Sequence, residues 1–163
     1  MLYLVRHASA GDRHAWHGDD SQRPLDAKGH AQAAAIARAL ENSGPGRVLS
    51  SPAVRCVQTV EPIAAATGLE IELADELSEG AHGMRTEALL GELAGGNGVA
   101  VLCSHGDVIP EVLWRLAYRG VDVDGLGRCK KASIWELHVR DGVVTHGAYR
   151  APRTFGAGAN DVA

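Results

Sequence analysis

At 163 residues and 45% hydrophobic content, the chain is long enough for one domain that buries about two-thirds of its unfolded surface, and too apolar for disorder. A net charge of −4 argues against a nucleic-acid-binding surface, and no apolar run is long enough to span a bilayer. Three scattered cysteines (Cys56, Cys103, Cys129) make neither a disulfide framework nor a zinc site. The eight histidines lack metal-ligand spacing, so no metal is expected. The N-terminus has no basic segment followed by a cleavage site, which predicts a cytoplasmic protein.

Residues 2–5 (LYLV) form an unbroken apolar run and read as a strand buried on both faces. The run stops at Arg6-His7, followed by Ala8, Ser9, Ala10 and Gly11. In open α/β sheets, ligands bind outside the carboxyl ends of the strands, so this first polar pair falls where such a fold does chemistry. Residues 12–24 (DRHAWHGDDSQRP) read as a polar loop beside that end. Arg13 and Arg23 are either solvated loop charges or contacts to an anion, and Trp16 is either a packing anchor or an aromatic platform.

Asp26 is the expected N-cap of a helix carrying Ala33, Ile36, Ala37 and Leu40 on one stripe, stopped by Gly44-Pro45-Gly46. Val48-Leu49 predicts a second short strand, ending in Ser50-Ser51-Pro52. Arg55 then sits one turn inside the next helix, whose N-terminus already favours anions. Pro62 is expected to kink or divide that helix.

Residues 69–73 (LEIEL) alternate as a half-buried strand. Asp75, Glu76 and Glu79 follow in a loop with glycine. Residues 84–94 predict a helix with Thr86, Leu89, Leu90 and Leu93 on its apolar face. Residues 99–103 (VAVLC) predict the central parallel strand, delivering Ser104-His105-Gly106-Asp107 to the same sheet edge as Arg6-His7, with Asp107 capping the helix after it. Residues 119–131 read as a connection, and residues 134–139 and 143–148 as a hairpin about Asp141-Gly142. The predicted fold is α/β in three α/β/α layers, a mostly parallel sheet with an antiparallel edge strand. The domain is expected over residues 1–152, with 153–163 a flexible tail.

Three motifs in order carry a resemblance to a known family: Arg6-His7, then Ser51-x-x-x-Arg55-x-x-x-Thr59, then Ser104-His105-Gly106-Asp107. Together they resemble the histidine phosphatase superfamily, the phosphoglycerate mutase-like group, from Leu2 to about Trp135. Leu25, Gly29, Gln32 and Ala33 match the family's lead-in to its first helix, a structural stretch. Ala8 stands where the family usually has glycine, an alanine shared with SixA-type phosphohistidine phosphatases. The mutases' Trp-Asn pair is missing, which favours a phosphatase over a mutase. Residues 18–26, 108–110 and 131–135 also resemble the histidine-phosphatase half of some bacterial two-domain Nudix hydrolases, although the chain contains no Nudix box.

The resemblance implies roles. His7 would be the nucleophile that becomes phosphohistidine. Arg6, Arg55 and His105 would hold the phosphate, with Ser9, Arg23 and Gly106 as further substrate contacts. Glu79, with Glu76 as the alternative, would protonate the leaving oxygen. No cofactor is implied. The partner would be a phosphorylated small molecule or a phosphohistidine protein, with no nucleic acid and no membrane, and the oligomeric state is left open. A catalytically weak phospho-ligand binding domain is the alternative to an enzyme.

Overall fold

The computed structural model describes residues 1–96 and 98–156. Seven strands form one mixed sheet: β1 (Leu2–Arg6), β2 (Arg47–Ser50), β3 (Ile71–Leu73), β4 (Ala100–Ser104), β5 (Asp122–Asp124), β6 (Ile134–Arg140) and β7 (Val143–Arg150), in the order β3-β2-β4-β1-β6-β7-β5. β3, β2, β4 and β1 run parallel. The antiparallel part is β6 against β1 and β7 against β6. β5, read from sequence as part of a connection, pairs parallel with β7 and closes that edge. It is only three residues long and flanked by glycines, so it carries little periodicity to detect.

Four helices cover the two faces. α1 (Ala27–Leu40) and α2 (Val54–Thr67) share one core with Val5, Val48, Val101 and Ile134. α3 (Gly83–Gly95) and α4 (Val108–Tyr118) share the other with Leu2, Leu4, Leu102, Trp135 and Leu137. Successive β1 side chains therefore point to opposite cores, which is why the run is apolar throughout rather than alternating. β4, wholly buried between β2 and β1, is the central strand. This is the α/β architecture in three layers that the sequence implies.

Local chemistry explains the boundaries. Asp26 caps α1 as expected, accepting from the Gly29 N–H at 2.6 Å. Gly29 allows a close approach: a Cβ there would sit 1.9 Å from the Ser9 carbonyl oxygen, so α1 could not lie against the chain leaving β1. The hairpin turn has Asp141 at φ 51° and Gly142 at φ 77°, both left-handed, as a two-residue type I′ turn requires.

Pro62 does not divide its helix, and Asp107 does not cap α4. α2 runs undivided through Pro62. A proline inside a helix costs roughly 3 kcal/mol, but Val60, Ile63 and Ala64 around it are buried against the sheet and α1, and that packing holds the helix together. Asp107 occupies the cap position of α4 without capping it. Its carboxylate instead accepts from the Gly80 N–H at 2.7 Å, tying down the loop that carries Glu79. Of the expected tail, Pro152–Phe155 forms a short 3-10 turn, with the Arg150 guanidinium 5.4 Å from the Phe155 ring centre. Residues 157–163 lie outside the described residues.

Candidate active site

The carboxyl ends of β1, β4 and β2 lie side by side and present Arg6-His7, Ser104-His105 and Ser50-Ser51 at one edge. The backbone locks them in register: the His7 N–H donates to the Ser104 carbonyl at 3.0 Å, and the Ser51 N–H to the Cys103 carbonyl at 3.0 Å. α2 and α4 begin just beyond these strands, so the positive ends of two helix dipoles face the same place. A cavity of about 310 Å³ lies there, walled by Arg6, His7, Arg13, Arg23, Arg55, Glu79 and Lys131 among others.

His7 is 6% exposed. Its Nδ1 lies 2.8 Å from the Ala8 carbonyl, which can only accept, so Nδ1 carries the proton and Nε2 keeps its lone pair. Burial pushes the imidazole pKa down to about 3, helped by His105, Arg55 and Arg6 and opposed by the Ala8 bond. His7 is therefore neutral at any physiological pH, the form in which an imidazole is a nucleophile. Ala8 and the ring are steadied from α2: the Ala8 N–H donates to Thr59 Oγ1 at 3.0 Å, and that hydroxyl donates to the Arg55 carbonyl at 2.6 Å.

The His105 ring stands edge-on to His7, with 5.3 Å between centroids. Its Nδ1 is 3.3 Å from Arg55 Nη2, which can only donate, so Nδ1 accepts. Nε2 then carries the proton and donates to Ser51 Oγ at 2.8 Å, with Cys56 Sγ 3.4 Å away. The hydrogen-bond partners thus place the proton on Nδ1 of His7 and on Nε2 of His105.

Arg55, 1% exposed, is the hub. Nη1 donates to the Asp20 carbonyl at 2.7 Å, and Nη2 donates to Glu79 Oε2 at 2.8 Å and lies 3.2 Å from Asp20 Oδ2. Its Nε is buried without a hydrogen-bond partner. Arg6 Nη1 donates to the Cys129 carbonyl. Gly106 makes room for it, since a Cβ there would stand 2.6 Å from the Arg6 guanidinium carbon. Glu79 is held from both sides, by Arg55 and by Arg13 Nη1 at 3.1 Å from Oε1. Glu76 instead pairs with Arg85 at 3.2 Å and does not line the cavity.

The structure brings together His7, Arg6, Arg55, His105 and Glu79, with Gly106 beneath Arg6. Arg23 joins them: it is buried, donates from Nε to Asp20 Oδ1 at 2.9 Å and from Nη1 to the Ala10 carbonyl at 2.7 Å. Ser9 does not reach His7's cavity as a free hydroxyl. Its Oγ donates to Asp26 at 2.7 Å, because the N-cap carboxylate lies directly beneath it. Trp16 anchors its loop, donating from the indole to the Asp19 carbonyl at 3.0 Å.

Sequence reasoning missed two charged groups. Asp20 accepts from Arg23 and lies 3.4 Å from Arg13 Nε and 3.2 Å from Arg55; the Arg23 bond, reinforced by Arg55 and Arg13, holds its carboxyl below the usual carboxylate range. Lys131 reaches the cavity from the segment before β6. Both fall in the two stretches, 18–26 and 131–135, whose resemblance to a known phosphatase half was the available signal. Among the described residues no group of three His, Cys, Asp or Glu side chains could hold a metal ion.

A family model for the histidine phosphatase superfamily, branch 1, matches residues 2–92. The chain belongs to that superfamily. Among curated proteins, this histidine-phosphatase chain is 36% identical over 155 residues to an 8-oxo-(d)GTP phosphatase of Mycolicibacterium smegmatis, covering 93% of this chain and 48% of that protein. The chain thus spans about half the length of that relative. Among solved structures, the protein histidine phosphatase SixA complexed with tungstate superposes with a TM-score of 0.75 at 21% identity, covering 94% of this chain and 97% of that one. A candidate phosphohistidine phosphatase SixA from Agrobacterium tumefaciens gives a TM-score of 0.62 at 25% identity, covering 82% and 88%.

Proposed function

We propose that the chain is a phosphatase that hydrolyses a phosphomonoester or a phosphohistidine through a phosphohistidine on His7. The observation that carries this reading is the His7 imidazole itself. It is buried and neutral, its Nδ1–H donates to the Ala8 carbonyl so that Nε2 keeps its lone pair, and it lines a cavity walled by arginines. The superfamily, the phosphatase name of the Mycolicibacterium relative and the SixA-like fold support the reading.

The chemistry follows from the geometry. His7 Nε2 attacks phosphorus and forms a P–N bond as the ester's P–O bond breaks, its electron pair leaving with the ester oxygen; in a phosphohistidine substrate the P–N bond breaks instead and the pair leaves with the imidazole nitrogen. Glu79, entering the step in its protonated form, gives the ester oxygen a proton and becomes the carboxylate that Arg55 and Arg13 hold. The positive charge that spreads over the imidazole is shared through Nδ1–H with the Ala8 carbonyl. Arg6 and Arg55 bring positive charge, and the N–H groups their protein partners leave free, to the equatorial oxygens, where charge gathers in phosphoryl transfer. Water then attacks the phosphohistidine and gives its proton to Glu79, and phosphate leaves with His7 regenerated. The guanidinium groups supply the positive charge this path needs, so we expect turnover without a divalent metal. The substrate would be a phosphorylated small molecule or a phosphohistidine protein.

The test is release of phosphate from p-nitrophenyl phosphate in EDTA by the wild type and by His7→Ala. Metal-independent release that falls at least a hundredfold in the variant supports the proposal. Release persisting above a few per cent in His7→Ala, or vanadate binding with no release from any ester, overturns it.

A further inference from the structure

The cavity at His7 has a neighbour. A second hollow of about 330 Å³ is lined by Arg6, Ser9, Lys28, Gln32, Lys130 and Lys131, with Pro152 at its rim. Arg6 and Lys131 form a common wall, since both also line the cavity at His7. The second hollow therefore brings three lysines and an arginine together, and no carboxylate lines it among the described residues. The nearby Asp26 is committed elsewhere: its oxygens accept from Ser9 Oγ, the Gly11 N–H and the Gly29 N–H.

The segment that supplies Lys130 and Lys131 is fixed to the end of β1. The Ala132 N–H donates to the carbonyls of Arg6 and His7 at 3.1 and 3.2 Å, and the Ser133 N–H closes a turn on the Lys130 carbonyl at 3.0 Å. Ala132 is fully buried at φ 62°, a left-handed conformation that costs an alanine and persists only where surrounding structure imposes it. Lys131 is consequently held half-buried among like charges. Burial lowers its pKa, and Arg6 and Arg23 lower it further. A half-buried lysine held among further cations is an arrangement that an anionic ligand stabilises.

One phosphoryl group at His7 leaves this second hollow unused. We propose that it is a subsite for a second phosphoryl group on the same small molecule, so that the preferred substrates carry one phosphate at His7 and another on Lys130 and Lys131. The proposal rests on the phosphatase reading of the first cavity and narrows its substrate class. The second phosphate has two chemical sources, the inner phosphate of a nucleoside diphosphate or the second ester of a sugar bisphosphate. Hydrolysis of the anhydride expels a phosphate oxygen, a good leaving group that needs little help from Glu79. The bisphosphate expels a sugar hydroxyl, which needs that proton.

The experiment compares kcat/KM within two pairs in EDTA, a nucleoside 5′-monophosphate against its diphosphate and a hexose monophosphate against its bisphosphate. The enzymes are wild type, Lys130→Ala, Lys131→Ala and Lys131→Arg. Binding of inorganic phosphate and inorganic pyrophosphate is measured alongside by calorimetry. The doubly phosphorylated member of one pair is expected to be preferred tenfold or more, mostly through KM. That ratio should collapse toward one in Lys131→Ala and be largely restored in Lys131→Arg. The preferred pair, and the size of the Glu79→Gln effect on it, distinguish anhydride from ester. Pyrophosphate is expected to bind at least tenfold more tightly than phosphate, with the ratio lost in Lys130→Ala and Lys131→Ala. Turnover without preference in either pair, or a phosphohistidine protein outcompeting both, overturns the subsite and leaves the phosphatase reading standing. A lysine-dependent pyrophosphate preference with no turnover of any ester upholds the subsite and overturns the phosphatase reading.

Discussion

The two ends of the sheet carry hollows of very different character. At the amino end of β1 lies a cavity of about 470 Å³, lined by Met1, Ala94, Val99, Gly142 and other turn residues. It is larger than the one at His7, about 310 Å³. Yet the buried polar side chains His7, Ser51, Arg55, Thr59, Ser104 and His105 gather at the carboxyl end. The reason lies in the winding. Each of β1 to β4 leads into a helix beyond its carboxyl end, so helix N-termini and strand-end side chains converge there, while the other end meets helix C-termini and turns. Burying a cation or an imidazole costs free energy unless partners satisfy it, so paired and half-paired buried groups mark the working end better than volume does.

Breaking the carboxyl end should begin with Arg55. In Arg55→Lys one ammonium replaces a fork that reaches Asp20, Glu79 and His105 at once. We expect kcat/KM on p-nitrophenyl phosphate to fall about a hundredfold or more, in the range seen when an oriented transition-state donor is removed. A loss of less than about fivefold would mean that Arg55 only supports the loop. Glu79 sharpens the comparison in a second way. Glu79→Gln should slow an alkyl phosphate by about a hundredfold and p-nitrophenyl phosphate by less than about tenfold, since only the poor leaving group needs a proton. Glu76→Gln, paired with Arg85 away from the cavity, should leave both rates near wild type. Equal losses on both substrates in Glu79→Gln would remove it from the acid role.

The pH dependence of stability should show the same asymmetry. Unfolded, His7 titrates near pH 6.5; folded, it is pushed down to about 3. Between these values the unfolded chain binds a proton that the native state refuses, so stability drops as pH falls below about 6.5, and His7's share of the loss is complete near 3. At pH 5 that share is about 2 kcal/mol. Urea unfolding of wild type and His7→Asn at pH 7 and pH 5 measures it: wild type should lose more than the variant by roughly that amount. Parallel losses would show that His7 titrates normally.

Much of this was legible in the chain. The strand ends announced themselves because apolar runs stop abruptly at Arg6-His7 and Ser104-His105, and the period of α1 gave its buried stripe. What resisted reading was whatever depends on a distant partner. Asp107 looks like a helix cap locally, but Gly80, twenty-seven residues upstream, claims its carboxylate. Asp20 looks like a solvated loop acid until its loop folds Arg13 and Arg23 around it and Arg55 reaches in from α2. Ser9 looks available for a phosphate until Asp26 accepts its hydrogen bond. Pro62 signals a break that only the burial of its neighbours overrides. Local pattern fixes where a residue stands along its element, whereas its role follows from pairings between segments.

The amino end offers the smallest effect and the clearest contrast. Gly142 sits in the hairpin turn at φ 77°, lining the larger hollow. A Cβ added there would meet the nearest heavy atom, Gly95 Cα, at 3.7 Å, an ordinary contact, so the cost of Gly142→Ala is conformational rather than steric. A left-handed alanine costs roughly 1–2 kcal/mol, which for a domain of this size lowers Tm by about 2–8 °C. The turn holds the register of β6 and β7 far from His7, so kcat and KM on p-nitrophenyl phosphate should not move. Thermal melts and steady-state rates on one preparation separate the two outcomes. If activity fell in step with Tm, the two ends of the sheet would be coupled, and the division of labour between them would have to be abandoned.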